Sequence, residues 1–486
     1  MLGRDGFCRY FCTKYYIMRT LCLSICLLLS ATAFSQQIPA DLEGKWLGKI
    51  NAGIELRLVL NFTIHNDSLF TTLDSPDQGV NDIPTSSTTY TAGSNEIQVE
   101  IPLIKAQFKG VYTAATQSIS GIFIQGAPMP MTLTKVTEVK GIVRPQEPVK
   151  PYPYKEEEVT FKNKQTNDVT LAGTLTIPEG KGPFTAVILV TGSGPQDRNE
   201  ALLGHKPFLV LSDYFTRKGI IVLRYDDRGV AQSTGDHETA TTADFASDAN
   251  AAVDYLLSRK DLNIGKIGIA GHSEGGVIAP LAASKNKQID FIVLLAGTGI
   301  PGDSILNLQA DLIARAMGAP EDALQATEKY RRDIINIAKA NDDPAMIKSA
   351  IIAYNKNLIK NSSAEYLNLL SMTETDTLAA VNFYANAWMH YFLNYDPQPT
   401  LRKLKIPVLA VNGTHDLQVP YKENLSAIEA ALKEGKNKQY STMAFDGLNH
   451  LFQQSATGSP SEYSHIEETF NEQAMEAIAT WILTLK

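Results

Sequence analysis

Three nearly unbroken apolar runs, Thr185–Val190, Gly219–Arg224 and Lys266–Ala270, constrain this chain more than any other feature, and two more follow at Phe291–Leu295 and Pro407–Val411. Runs of β-branched and other apolar residues without alternation mark strands buried on both faces, which is the condition inside a parallel sheet. Helical periodicity lies between them, over Ala243–Leu257 and Gly276–Ala283. Strand–helix alternation of this kind predicts an α/β architecture. Val159–Phe161 and Val169–Ile177 read as a hairpin opening the same region. Between Ile300 and Pro399 the strands stop. Asp303–Met317, Glu321–Ala340, Pro344–Ile359 and Thr375–Leu393 all carry helical periodicity, so about residues 300–399 are expected to form a helical cap inserted into the sheet.

The N-terminal part has another rhythm. Glu55–Phe62, Ile97–Ile101, Ala106–Val111 and Met131–Val136 alternate apolar and polar residues between clusters of Gly, Asn, Asp and Ser. Residues 36–140 are therefore read as a small antiparallel β domain or partial barrel. Four prolines fall within Arg144–Tyr154, and 141–157 is read as a stiff linker to an α/β domain over 158–486.

Ahead of both, Met18-Arg-Thr leads into the apolar run Leu21–Leu29 and the small-x-small sequence Ala33-Phe-Ser35. That order describes a secretory signal peptide over 1–35, with Met18 as the expected start and export to the periplasm or medium as the expected destination. All four cysteines, Cys8, Cys12, Cys22 and Cys26, precede the cleavage point. The mature chain would then carry no disulfide, thiol nucleophile or thiolate metal site. The removed segment holds four basic residues and one acidic residue, so the net charge moves from −8 to −11. An acidic chain without a basic cluster argues against nucleic acid as a partner.

Gly271-His-Ser-Glu-Gly275 falls between a predicted strand and a predicted helix. This is the Gly-x-Ser-x-Gly elbow in the strand–turn–helix setting its geometry requires. A serine in so sharp a turn forces the positions two residues to either side to be nearly free of side chain. The following helix points its N-terminal N–H groups at developing negative charge. Ser273 is thus the candidate nucleophile. A serine hydroxyl needs a base, which such elbows find downstream in the order serine, acid, histidine. His390 sits among the cap aromatics Trp388, Tyr391 and Phe392, and His465 in a polar stretch before the last helix. His450 follows the predicted strand Gln439–Phe445 and is the candidate base. Asp416, on the loop after Pro407–Val411, is the candidate acid, with Asp446 as its rival and His415 as a neighbour. Backbone N–H of Glu274 and of Ser193, or next Gly194, in Thr191-Gly-Ser-Gly-Pro-Gln-Asp-Arg198 are the candidate oxyanion donors. Asp197, Arg198 and Trp388 are candidate substrate contacts. The charges of Arg224-Tyr-Asp-Asp-Arg228 are read as structural.

Thr191–Arg198, Arg224–Val230, Gly271–Gly276 and Asn412–Asp416 together resemble bacterial carboxylesterases of the serine-aminopeptidase-like (S33-type) branch of the α/β-hydrolases. The resemblance covers 155–486. It implies an α/β-hydrolase fold with a helical cap, an all-β domain ahead of it, and hydrolysis of a small-molecule ester with short acyl chains through an acyl-enzyme. It gives Ser273, Asp416 and His450 the triad roles, with no metal or cofactor. Thr191 departs from the histidine that many relatives carry before Gly-Ser-Gly. Two other readings remain open: an aminopeptidase or oligopeptidase using the same triad, and an envelope glycan-binding protein with accessory deacetylase activity. The second would rest on the β domain, where Trp46 and Tyr112 are equally readable as core.

Overall fold

The computed structural model describes residues 38–485 apart from 53–54, 140–142, 167–168 and 371–379. The expected signal peptide lies outside the described residues. The chain divides into two compact units, one formed by the chain up to Ser75 with Asn81–Val139, the other by Pro76–Val80 with Lys140–Lys486.

The first unit is a nine-stranded antiparallel meander. Its strands are β1 (Gly44–Asn51), β2 (Glu55–His65), β3 (Ser68–Ser75), β4 (Val80–Pro84), β5 (Ser87–Thr91), β6 (Glu96–Ile101), β7 (Ala106–Thr113), β8 (Ser118–Gln125) and β9 (Ala127–Val136). They lie in the order β4-β3-β2-β1-β9-β8-β7-β6-β5. Alternation sends one face of each strand inward, as in β7, where Ala106, Phe108, Gly110 and Tyr112 are buried. Trp46 and Tyr112 meet edge to face at 5.7 Å in this core. That placement accounts for both aromatics as packing residues.

The second unit is built on an eight-stranded sheet. It comprises β10 (Lys155–Lys162), β11 (Thr170–Ile177), β12 (Phe184–Val190), β13 (Ile220–Tyr225), β14 (Ile264–His272), β15 (Phe291–Leu295), β16 (Val408–Gly413) and β17 (Tyr440–Phe445), in the order β10-β11-β13-β12-β14-β15-β16-β17. The first pairings, β10 with β11 and β11 with β13, are antiparallel, and every later pairing is parallel. This is the α/β-hydrolase fold. The apolar runs are continuous because successive residues serve two cores. In β12, Ala186, Ile188 and Val190 pack with helices α2 (Thr242–Ser258) and α3 (Gly275–Lys285), whereas Val187 and Leu189 pack on the opposite face with α1 (Pro207–Arg217) and the C-terminal helix Glu472–Thr484.

The proline-rich segment is docked rather than a free spacer. Arg144 donates to the carbonyls of Leu203 and Ser464, Gln146 bridges Thr469 and Phe470, and Lys155 already belongs to β10. Composition signalled a stiff segment but neither these long-range side-chain anchors nor the turn in which Glu147 N–H bonds the Arg144 carbonyl at 3.1 Å.

Between β15 and β16 the chain forms the cap: α4 (Gly302–Ala316), α5 (Glu321–Lys339), α6 (Pro344–Asn361), α7 (Ala364–Leu369) and α8 (Ala387–Asn394). It has its own core, in which Ile334, Ile335, Ile347, Ile351 and Met389 are buried. The single helix expected over Thr375–Leu393 is interrupted. Ala380–Tyr384 is helical, the chain turns at Ala385–Asn386, and α8 starts afresh with the Asn386 side chain accepting from Met389 N–H at 2.7 Å. An Asn that captures the free N–H groups of a new first turn ends one helix and begins another.

Candidate active site

Ser273 sits at the tip of β14, and its φ of +54° puts it in the left-handed region. A non-glycine residue there is strained and persists only where the surroundings impose it. The flanking glycines are what allow the turn. A Cβ at Gly271 would stand 2.0 Å from the Gly275 carbonyl oxygen, and one at Gly275 would stand 2.3 Å from that of Val190. Helix α3 starts immediately beyond, at Gly275.

Asp416, on the loop after β16, and His450, on the loop after β17, are both buried. Asp416 Oδ2 lies 2.8 Å from His450 Nδ1. Its other oxygen accepts from the N–H groups of Gln418 and Val419, each at 2.8 Å. A carboxylate held on both oxygens can only accept from Nδ1–H, which leaves His450 Nε2 free of hydrogen and able to take a proton. Ser273 and His450 face one cavity of about 280 Å³. No direct bond joins the hydroxyl to the ring among the described residues; in a ligand-free site such contacts are commonly long and tighten when substrate binds.

Glu274 and Ser193 line the same cavity. Gly192 N–H is committed to Glu200 Oε1 at 2.7 Å, whereas the N–H groups of Ser193 and Glu274 bond to no acceptor among the described residues. Gly194, the other candidate donor, has a φ of +92° and does not line the cavity. The loop is pinned from behind by Asp227, which accepts from the Thr191 hydroxyl at 2.7 Å and from Gln196 N–H at 3.0 Å.

The apolar walls include Leu202, Ile305, Leu306, Phe383, Phe392 and Leu451, with Trp388 on the cap side, and Gln196, Thr298, Gln309 and Gln418 add polar groups. The one pocket carboxyl that also engages the cap is Glu274. Its Oε1 accepts from Thr242 at 2.6 Å and from Trp388 Nε1 at 2.7 Å. Burial raises its pKa, and its bonds to Thr242, Trp388 and Ser193 offset this only in part. Burial likewise raises Asp227 well above the usual carboxylate range against its Thr191 and Gln196 bonds.

Of the three expected substrate contacts only Trp388 reaches the cavity. Asp197 folds back on its own loop, accepting from Asn199 and Ala201 N–H at 3.0 Å each. Arg198 is buried behind the loop in a two-pronged pair with Asp226, at 3.0 and 2.7 Å, and also meets Glu158 and Thr174. Neither residue lines the cavity. Asp446 bonds Thr414 rather than His450. His415 meets the Ser455 carbonyl, and His390 lies 3.4 Å from Asp342 in the cap.

A family model for X-Pro dipeptidyl-peptidase (S15 family) matches residues 145–450, well over half of the chain and the stretch that holds all of these residues. The chain belongs to that family. This S15 chain is also similar to esterase EstD of Thermotoga maritima, with 29% identity over 332 residues spanning 67% of this chain and 68% of that one. Among solved structures it resembles the Pyrococcus furiosus esterase Pf2001, at 13% identity and a TM-score of 0.41 over 71% of this chain and 98% of the other. It also resembles the Butyrivibrio proteoclasticus protein Est1E bound to ferulic acid, at 17% identity and a TM-score of 0.38 over 67% and 98%.

Sequence reasoning passed over two residues that line this cavity, Glu200 and His272, whereas Asp227 was among the charges read as structural and holds the Thr191–Gln196 loop. His272 had a signal of its own. A histidine at the buried end of a strand must find partners for both ring nitrogens.

Proposed function

We propose that this protein hydrolyses carboxylic esters with small acyl groups through an acyl-enzyme on Ser273. The observation that carries the reading is the strained Ser273 turn opening onto the cavity that also holds the buried His450–Asp416 pair. Ser273 Oγ attacks the ester carbonyl carbon while His450 Nε2 takes the hydroxyl proton. The carbonyl oxygen becomes an oxyanion, received by the N–H groups of Ser193 and Glu274. Collapse expels the alcohol, which leaves with the proton from His450. Water then repeats the sequence and releases the acid. Asp416 holds the His450 tautomer and stabilises the imidazolium as it forms. The likeness to esterase EstD supports an ester as substrate, and a cavity of about 280 Å³ with mostly apolar walls supports a short acyl group.

The test is burst kinetics with p-nitrophenyl acetate, butyrate and decanoate. The short esters should show a burst of p-nitrophenol and turn over faster than decanoate, and Ser273→Ala should abolish both burst and turnover. Full activity in Ser273→Ala would overturn the assignment. The family match to X-Pro dipeptidyl-peptidases favours a second reading, cleavage after an N-terminal X-Pro pair. Turnover of Ala-Pro-p-nitroanilide exceeding that of the butyrate ester would favour the peptidase.

A further inference from the structure

Behind the nucleophile lies a second histidine–carboxylate pair. His272 Nδ1 is 2.9 Å from Glu200 Oε1, and His272 Nε2 is 3.0 Å from the backbone carbonyl oxygen of His450. Glu200 Oε1 also accepts from Gly192 N–H, next to the proposed oxyanion donor Ser193. Both side chains are buried, and Glu200 takes a left-handed φ of +51°. A non-glycine residue held in that conformation with its carboxyl turned inward is set by its surroundings rather than by its own preference.

Proton accounting limits the states of this pair. The His450 carbonyl can only accept, so His272 Nε2 must carry hydrogen. Glu200 as a carboxylate can only accept, so Nδ1 must carry hydrogen as well. A carboxylic acid donating to a bare Nδ1 would satisfy the same bonds, so two arrangements are open, and the ionised one, an imidazolium facing a carboxylate, is neutral as a pair and tolerable in the interior. Burial pushes the His272 pKa down, but the charge and hydrogen bond of Glu200 outweigh it and the net direction is up. The ionisable groups facing the ring are Glu200, Asp416 and the His450 ring at 4.8 Å; Asp227, near Glu200, is a carboxyl whose pKa burial raises.

We propose that Glu200 and His272 form a positioning pair, an ionised couple that ties the oxyanion loop through Gly192 to the base loop through the His450 carbonyl. Both border the cavity, but their polar atoms are spent on each other, on Gly192 and on the His450 carbonyl rather than on Ser273 or the His450 ring. Together they fix the distance between the groups that receive the oxyanion and the group that moves the proton. The inference rests on the Ser273 reading given above.

The pair predicts a separation of kinetic effects. In Glu200→Gln the amide oxygen at the Oε1 place can still accept from Gly192 and from Nδ1–H, but the charge is gone, and a neutral His272 ring with one N–H must give up either that bond or the one to the His450 carbonyl. Displacement of loops by a fraction of an ångström then lowers kcat by about ten- to a hundredfold, with KM within about twofold. Glu200→Asp restores part of the loss because it restores the charge. In ¹⁵N-histidine spectra at pH 8, the native protein shows one doubly protonated ring, absent in both His272→Gln and Glu200→Gln. A neutral His272 at pH 8, or a Glu200→Gln kcat equal to the native value, overturns the proposal. Should Glu200→Gln not fold, as judged by circular dichroism, the same kinetic comparison is made on His272→Gln, whose amide can still donate to the His450 carbonyl. Ser273→Ala on the same p-nitrophenyl butyrate separates the two layers. If that variant is inert while Glu200→Gln is fully active, only the positioning pair fails. If Ser273→Ala is active, the underlying reading fails.

Discussion

Two residues at the site are held in states that cost stability. Ser273 in the left-handed region stores roughly 1–3 kcal/mol. Glu274 is a buried carboxyl whose hydrogen bonds come from neutral donors only, and burial raises its pKa from the ordinary value of 4.5. A raised carboxyl binds its proton more tightly folded than unfolded. Its stabilising contribution is therefore complete below about pH 4.5 and is lost as pH rises through the folded value. At pH 8, well above the unfolded carboxyl's ordinary pKa, burying this group costs stability that burying an amide would not. Glu274→Gln should accordingly raise the urea midpoint at pH 8, with the advantage gone at pH 4. Equal midpoints for the two proteins at pH 8 would show that the carboxyl is not raised. Ser273, Asp416 and His450 could be placed together as candidates because each follows a strand that is itself legible, in the chain order usual for this fold. Asp197 and Arg198 were misread for a physical reason. The direction of a loop side chain depends on partners far along the chain, here Asp226 for Arg198, and local sequence does not encode them.

Among the elements, the central strands could be read from sequence because two-sided burial leaves no room for polar residues. The cap was legible as helical, yet its register was not, since the periodicity of Thr375–Leu393 runs on across the break at Asn386. In the β domain several strands escaped, among them β8, Ser118–Gln125, where Ser and Gly hide the alternation that its partners β7 and β9 complete. Helix α8 matters most for function, because it carries Trp388 and Phe392, stacked at 5.4 Å, into the cavity wall. Its first turn depends on the Asn386 cap. Asn386→Ala should cost about 1 kcal/mol of cap stability. The expected kinetic result is a KM for p-nitrophenyl butyrate raised a few-fold with kcat nearly unchanged, since α8 lines the cavity but carries none of the triad. A fall in kcat at constant KM would contradict that division of labour.

At the level of the whole molecule, each unit has a core of its own. Trp46, Phe62, Phe108 and Phe123 are buried in the meander, while the two cores of the α/β sheet and that of the cap are filled by residues from Val159 onward. Every residue assigned to the reaction also lies beyond 190, on loops that follow strands of one sheet. A ligand that binds only the folded site stabilises the unit that contains it, by about 2.7 kcal/mol at a concentration a hundredfold above its Kd. For a unit of this size that corresponds to a rise in Tm of roughly 3–6 °C. Scanning calorimetry of the intact protein should resolve two transitions, as chains with separate cores commonly do. A boronic acid that forms a reversible adduct with Ser273 should raise one transition by several degrees and leave the other within about 1 °C. If both transitions move together, the β unit is energetically coupled to the catalytic unit, and its part in the function then lies in the stability of the site rather than in a separate activity.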